Sequence, residues 1–121
     1  MAAVGSSYAY SVFARIIRRE LPATFLHEDD QCIAIEDINP QAPVHFLVIP
    51  KKEIRSLSST TEEDEQLLGH CMIVARKVAA EKGIDQSGYR VVINTGQYGC
   101  QSVYHIHLHV MGGRPMNLVL G

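Results

Sequence analysis

The sequence predicts a single α+β domain built on an antiparallel sheet. Three observations predict this class: short segments have strand composition and end in turn residues, two segments carry helical periodicity, and several strands follow one another as hairpins. The chain has 121 residues, the size of one domain with one core. We therefore expect one domain over residues 1–121, with a flexible tail over residues 1–9.

Two segments have the periodicity of amphipathic helices. In residues 13–20, apolar side chains lie on one stripe and arginines on the other, until a proline stops the helix. The longer helix is predicted to begin at a capping box of Thr60 and Glu63 and to run to about Lys82. Gly83 is a typical C-terminal stop. The apolar stripe of this longer helix predicts that it covers one face of the sheet.

Five segments have the composition of strands. The turn Glu28-Asp29-Asp30 separates the first two, and residues 37–43 form a loop rich in turn formers before the third. The third strand is nearly all apolar, which predicts burial on both of its faces. The predicted strands are residues 23–27, 31–36, 44–49, 89–94 and 103–111.

The last predicted strand contains three of the six histidines of the chain. Within Ser102-Val-Tyr-His-Ile-His-Leu-His-Val-Met111, the histidines occupy every second position. Side chains on a strand alternate between its faces, so His105, His107 and His109 are expected on one face. The opposite face is expected in the core and consists of Tyr104, Ile106, Leu108 and Val110.

The residues alone leave three interpretations of this histidine face open. The first is a polar strand face in contact with water. The second is a zinc site, with His45 or Cys100 as a completing ligand. The third is nucleophilic and acid–base chemistry on phosphate, in which neutral imidazole attacks and a protonated neighbour faces the phosphate oxygens. In that case His107, which is flanked on both sides, is the natural nucleophile.

The loop before the histidines favours the phosphate interpretation. Residues 95–102 contain Gly96 and Gly99, and glycine allows successive backbone N–H groups to approach an anion closely. Ser102 precedes the first histidine by an odd offset, so on an ideal strand it would face away from the imidazoles. We therefore predict that Ser102 lies in the loop and that the loop delivers it to the site.

Charge and hydropathy argue against several classes of protein. Eleven Lys and Arg against thirteen Asp and Glu give a net charge of −2, without a broad basic surface for nucleic acid. No apolar segment approaches the roughly 20 residues needed to cross a bilayer. Residues 1–7 are small and polar, unlike a secretory signal. Three cysteines without paired spacing indicate free thiols in a reducing compartment. We expect a cytoplasmic location, with the nucleus as an additional compartment.

Several segments resemble the nucleotide-binding branch of the histidine triad (HIT) superfamily. The superfamily signature is similar to His105-Ile-His-Leu-His-Val-Met111. Three further segments resemble this branch: Asp37-Ile-Asn-Pro-Gln-Ala-Pro-Val-His-Phe-Leu-Val-Ile-Pro-Lys51, Leu68-Gly-His70 and Gly99-Cys-Gln-Ser-Val-Tyr-His105. The branch is also similar to Gly112-Gly113-Arg114, where the dinucleoside-polyphosphate hydrolase branch typically has Pro-Arg. The resemblance spans nearly the whole chain.

The resemblance implies a five-stranded antiparallel sheet with two helices, continued across a homodimer. It implies binding of purine nucleoside monophosphates such as AMP or GMP. It also implies hydrolysis of purine nucleoside phosphoramidates, for example adenosine 5′-monophosphoramidate, through a covalent nucleotidyl-histidine. No cofactor and no metal take part in that mechanism. The alternatives are a nucleotide-binding regulatory or scaffold module with protein partners, in which turnover is incidental, and a zinc-binding protein.

The resemblance also implies catalytic roles residue by residue. His107 would be the nucleophile through Nε2, and the carbonyl of His105 would fix its tautomer by accepting from Nδ1. His109 and backbone N–H groups near Ser102 would hold phosphate oxygens. Ser102 would also pass a proton to the leaving amine. His45 is similar to the fourth family histidine, which lies behind the triad.

The nucleotide-binding residues implied by the resemblance surround the same site. Asp37 would bind the ribose hydroxyls, and Ile38 and Phe13 would line the base pocket. The remaining phosphate or ribose contacts would come from Asn94, Gln101 and the backbone N–H of Cys100. The chain departs from the family at Cys100, where glycine is usual, and at Leu118, where close relatives often carry tryptophan.

Overall fold

The structure is a computed structural model that describes residues 11–119, so the tail predicted over residues 1–9 lies outside the described residues. The α-helices within the described residues are α1 (Val12–Ile17) and α2 (Glu65–Glu81). The strands are β1 (Phe25–Glu28), β2 (Cys32–Glu36), β3 (Val44–Pro50), β4 (Tyr89–Val92) and β5 (Leu108–Gly112). Within residues 11–119, no helix is long and apolar enough to cross a membrane.

The strands form one sheet in the order β1-β2-β3-β5-β4, and every neighbouring pair is antiparallel. The prediction of an α+β fold with a five-stranded antiparallel sheet is therefore confirmed. β3 lies in the centre of the sheet and is the most deeply buried strand, as its apolar sequence predicts.

The two faces of the sheet are covered by different helices. α2 packs its apolar stripe against one face, which we call the α2 face. Its main contacts are made by Cys71, Val74, Val78, Phe46 and Val48. The opposite face, which we call the α1 face, carries the cluster of Phe13, Ile16, Ile33, Ile35 and Leu47. Because α1 is short, a cavity opens beside it on this second face.

β5 begins later than the sequence predicts, at Leu108. The last pair of the ladder is Val48 with Leu108, and two residues further along the same register Pro50 would face Ile106. Pro50 has no N–H to donate, so the ladder cannot continue past it. The N–H of Ile106 instead donates to the carbonyl of Ile54, at 2.7 Å. The first two histidines of the triad therefore lie outside the sheet.

Tyr104 shows the consequence for the predicted apolar face. Its side chain is 40% exposed rather than in the core, and the guanidinium of Arg55 lies over its ring at 4.4 Å. The other predicted members of that face are buried: Ile106, Leu108 and Val110. The prediction was wrong for Tyr104 because the period of two applies only where the chain is a strand.

Both helices differ from prediction at one end. The capping box before α2 is formed by Thr61 and Asp64, not by Thr60 and Glu63. The Asp64 carboxylate accepts from the N–H of Thr61 at 2.9 Å, and a 3₁₀ turn precedes the helix. α2 does end before the predicted glycine, which has a φ of +77°. α1 ends early, at Ile17, and the chain then turns through a left-handed Arg19 with a φ of +64°.

Candidate active site

A cavity of about 570 Å³ opens on the α1 face, within the usual size range of small-molecule sites. The ring of Phe13 meets that of His107 edge-on, with the ring centroids 4.8 Å apart. The predicted site residues that line this cavity are Phe13, Asp37, Ile38, His45, Ser102, His107 and His109. The predicted site residues outside its lining are Asn94, Cys100, Gln101 and His105.

The position of the proton on His107 follows from its contact with the backbone. Nδ1 of His107 donates to the carbonyl oxygen of His105, at 2.8 Å. A carbonyl can only accept, so the hydrogen lies on Nδ1 and the lone pair on Nε2. Nε2 has no hydrogen-bond partner in residues 11–119. Burial lowers the pKa of His107 below 6.5, so the ring is neutral at pH 7 and fit to act as a nucleophile.

The ring of His105 is engaged in the fold and does not line the cavity. Its Nε2 donates to the carbonyl of Pro50 at 2.8 Å, and its Nδ1 accepts from the hydroxyl of Ser11 at 2.9 Å. Ser11 is the N-cap of α1, where its Oγ also accepts from the N–H of Ala14 at 3.0 Å. The expected single face of three imidazoles is therefore incomplete: His105 joins the start of α1 to the end of β3.

Ser11 was missed by the sequence analysis, although a local signal existed. A serine directly before an apolar helical segment is a typical N-cap. Its second bond, to an imidazole 94 residues away in the chain, has no local signal.

A second backbone group orients the hydrogens of His45 and His109. The N–H of Gln41 donates to Nδ1 of His45 at 2.9 Å, which leaves the hydrogen of His45 on Nε2. That Nε2 lies 3.0 Å from Nδ1 of His109 and 3.3 Å from Oδ2 of Asp37. Because Nδ1 of His109 accepts, its own hydrogen lies on Nε2. His109 therefore offers the cavity an N–H donor.

His109 carries no charge at pH 7 in this site. Burial first, and then the neighbouring His107 and His45, lower the pKa of His109 to about 4, although Asp37 opposes the shift. The sequence analysis considered a protonated imidazole beside the nucleophile. The structure has instead a neutral N–H donor, which can still bind a phosphate oxygen.

Ser102 lines the cavity from the loop before β5, as predicted. Its backbone N–H has no hydrogen-bond partner in residues 11–119, so it is available to an anion. The loop turns sharply at Gly99, where a Cβ would lie 2.5 Å from the carbonyl oxygen of Thr95. Only glycine fits there without moving the backbone that carries Ser102.

The HIT domain model matches residues 18–116 of this chain. The chain belongs to the HIT family. It is 46% identical to the purine nucleoside phosphoramidase of Escherichia coli over 110 residues, which cover 91% of this chain and 92% of that enzyme. It is 52% identical to an uncharacterized HIT-like protein of Synechocystis over 107 residues, which cover 88% of this chain and 93% of that protein.

Solved structures agree with this HIT assignment. A HIT family hydrolase from Legionella pneumophila matches with a TM-score of 0.88 and 44% identity, over 90% of this chain and 97% of that one. A histidine triad nucleotide-binding protein from Candida albicans matches with a TM-score of 0.77 and 27% identity, over 91% and 86%. The chain is thus a HIT family hydrolase.

Gln101 has a different place in this HIT structure from the one the resemblance implied. It is buried, and its side-chain amide is used within the loop. Its Oε1 accepts from the N–H of Gly96 at 2.9 Å. Its Nε2 donates to the carbonyls of Arg55 and Val103, at 2.8 and 3.0 Å. Gln101 therefore braces the loop that carries Ser102, and its amide is not free to bind phosphate or ribose.

The other two expected nucleotide contacts also lie outside the cavity lining. The backbone N–H of Cys100, expected to face phosphate, donates to the carbonyl of Gln97 at 3.1 Å. Cys100 has a φ of +60°, the conformation for which the family's usual glycine is suited. Asn94 is half-buried, and its side chain has no hydrogen-bond partner in residues 11–119.

The zinc alternative is limited to three groups of the HIT site. Ligand atoms of Asp37, His45 and His109 lie within 4.8 Å of one another. Cys100, considered above as a completing ligand, is exposed and lies outside the cavity lining. An ion at this position would have to replace the hydrogen bond between His45 and His109.

Proposed function

We propose that this HIT hydrolase cleaves purine nucleoside phosphoramidates into a nucleoside monophosphate and an amine. The observation that carries the proposal is the bond from Nδ1 of His107 to the His105 carbonyl, because it leaves Nε2 as a lone pair at the cavity. The Escherichia coli relative, named a purine nucleoside phosphoramidase, supports the choice of substrate.

In the first step, Nε2 of His107 attacks phosphorus and the P–N bond to the amine breaks. The electron pair of that bond leaves with the amine, which takes a proton from the hydroxyl of Ser102. The Nε2–H of His109 and the backbone N–H of Ser102 bind the phosphate oxygens as charge develops on them. The product of this step is a nucleotidyl-His107, whose Nδ1–H still donates to the His105 carbonyl.

In the second step, water attacks phosphorus and the bond to Nε2 of His107 breaks. The electron pair returns to Nε2, one proton of the water restores the hydroxyl of Ser102, and the monophosphate leaves. The same two N–H donors serve both steps, since the charge on the phosphate oxygens develops in the same way. His107 ends the cycle neutral, as its lowered pKa favours.

The nucleoside would occupy the rest of the cavity. Phe13 and Ile38 line it and offer apolar surface to the base. Ile38 is 95% exposed, so covering it with a base would remove apolar area from water. The carboxylate of Asp37 lines the same cavity and can accept from ribose hydroxyls.

The test follows turnover of adenosine 5′-monophosphoramidate and traps the intermediate for mass spectrometry. We expect a wild-type adenylate on His107 and loss of both adenylate and turnover in His107→Asn. Lys77→Ala, on the exposed side of α2, is the matched control and should retain both. Near-wild-type turnover by His107→Asn would overturn the mechanism. Tight binding of AMP without any turnover would favour the regulatory module instead.

A chelator distinguishes the zinc alternative at Asp37, His45 and His109. We expect turnover to be unchanged after metal removal with a strong chelator. Loss of turnover that added Zn²⁺ restores would favour that alternative.

We also propose that the protein forms a homodimer with a continuous sheet. Within residues 11–119, the outer strands β1 and β4 each pair with one neighbour, so each has one edge that a second copy could extend. Sedimentation should give twice the mass of the chain at micromolar concentration. A monomer at that concentration would overturn this proposal.

A further inference from the structure

A second cluster of chemistry-bearing side chains lies away from the HIT cavity. His27 is on β1, Asp29 is in the turn after it, Cys32 begins β2 and His70 is on α2. Cys32 belongs to the core on the α2 face, whereas the cavity opens on the α1 face. No step of the proposed hydrolysis uses these four residues, which we call the His27 cluster.

Two imidazoles of the His27 cluster point at one carboxylate oxygen. Nε2 of His27 and Nε2 of His70 each lie 2.7 Å from Oδ2 of Asp29. Sγ of Cys32 lies 3.9 Å from the same oxygen. Ligand atoms of His27, Asp29 and Cys32 are all within 4.8 Å of one another. The cluster thus brings a nitrogen, an oxygen and a sulfur close together, and the nitrogen of His70 contacts the same oxygen from α2 without lying within 4.8 Å of all three.

The carboxylate at the centre of the cluster is held in place by the backbone. Its other oxygen, Oδ1 of Asp29, accepts from the N–H groups of Gln31 at 2.7 Å and Cys32 at 2.9 Å. A fixed anion facing two imidazoles and a thiol is a suitable centre for a cation.

We propose that the His27 cluster binds Zn²⁺. Imidazole nitrogen, thiolate sulfur and carboxylate oxygen are the donors that zinc takes in tetrahedral sites. Binding releases the proton of Cys32, and the hydrogen of each imidazole moves from Nε2 to Nδ1. The charges of the thiolate and the Asp29 carboxylate then balance that of the ion.

A tetrahedral site requires the two imidazoles and the carboxylate to rotate around the buried sulfur of Cys32. Bonds of about 2.0–2.3 Å in a tetrahedron separate ligand atoms by about 3.4 Å, so the nitrogen-to-oxygen contacts must open from 2.7 Å. The His27, His70 and Asp29 side chains are 29%, 27% and 24% exposed, which leaves them room to turn. The bound ion would join β1, β2 and α2.

The test titrates the full chain with Co²⁺ after chelator treatment and removal of the chelator. We expect one Co²⁺ per chain with a thiolate-to-cobalt charge-transfer band, and Zn²⁺ should displace it. Cys32→Ser should lose this band, whereas Cys100→Ser, which changes an exposed cysteine outside the cluster, should keep it. His27→Gln should weaken Zn²⁺ binding by at least about 10-fold.

These readouts separate the cluster from the HIT site. The group of Asp37, His45 and His109 contains no thiol, so His109→Ala should keep the band. Absence of the band in the wild type, or an unchanged band in Cys32→Ser, would overturn the proposal. If Cys32→Ser fails to fold, equal rises of Tm with Zn²⁺ in wild type and His27→Gln would overturn it. None of these measurements depends on turnover, so they test zinc binding independently of the hydrolase mechanism.

Discussion

Nδ1 of His107 lies 2.8 Å from the carbonyl oxygen of His105, and this contact determines which nitrogen of the proposed nucleophile carries the lone pair. A second backbone group, the N–H of Gln41, donates to Nδ1 of His45 and so places the hydrogen of His45 on Nε2. That hydrogen is donated to Nδ1 of His109. The His105 carbonyl and the Gln41 N–H do not titrate. The first leaves a lone pair on Nε2 of His107, and the second leads to a hydrogen on Nε2 of His109. The site has both groups that in-line attack on phosphate needs.

Removing His45 tests the series of hydrogen bonds from Gln41 through His45 to His109. In His45→Ala, Nδ1 of His109 loses its donor, so the ring can turn or hold its hydrogen on the wrong nitrogen. Loss of one buried hydrogen bond, about 1–3 kcal/mol, corresponds to a fall of roughly 5- to 150-fold in kcat/KM. Steady-state kinetics on an adenosine phosphoramidate measure it. His45→Asn, whose amide can donate, should recover part of the rate, and equal rates in both variants would contradict this role.

The pH dependence of kcat/KM tests the burial of the histidines. His107 must be unprotonated to attack, and burial lowers its pKa below 6.5. The rate should therefore be constant from about pH 8 to below pH 6.5 and fall only at lower pH. A rate profile across this range, on protein shown to be folded by circular dichroism, checks it. An acid limb with its midpoint above 6.5 would mean that His107 is not buried as described.

Gly99→Ala tests the sharp turn that carries Ser102. The new Cβ would lie 2.5 Å from the carbonyl oxygen of Thr95 and 2.8 Å from its nitrogen, so the backbone must move. We expect a loss of about 1–3 kcal/mol in the free energy of unfolding, together with slower turnover. Gly69→Ala, in α2 with open space around it, is the matched control and should gain about 0.5–1 kcal/mol. Unchanged turnover in Gly99→Ala would contradict the turn's role.

Cys100→Gly tests the strain at the position where this chain departs from its family. A left-handed backbone costs a non-glycine residue about 1–2 kcal/mol, and glycine loses about 0.5–1 kcal/mol more entropy on folding. We expect a net gain of about 0.5–1 kcal/mol in the free energy of unfolding, measured with urea. Cys100→Ala keeps a Cβ at the same φ and should show no gain. An equal gain in both variants would trace the effect to the thiol rather than to strain.

The sequence by itself determined the architecture, because periodicity is a local property. Strand composition, apolar runs and helical stripes require only near neighbours in the chain, and within residues 11–119 they correctly predicted five strand segments, two helices and a β3 buried on both faces. The same local signals identified the histidine segment and placed Ser102 in the loop before it.

Only the tertiary structure decided how the histidines differ from one another. Pro50 ends the ladder and leaves His105 and His107 outside the sheet, which no period within residues 102–111 could indicate. The bonds that assign the rings join partners far apart in the chain, such as Ser11 with His105 and His45 with His109. Hydrogen bonds of this kind depend on which groups the fold brings together, so their partners cannot be read from the residues on either side.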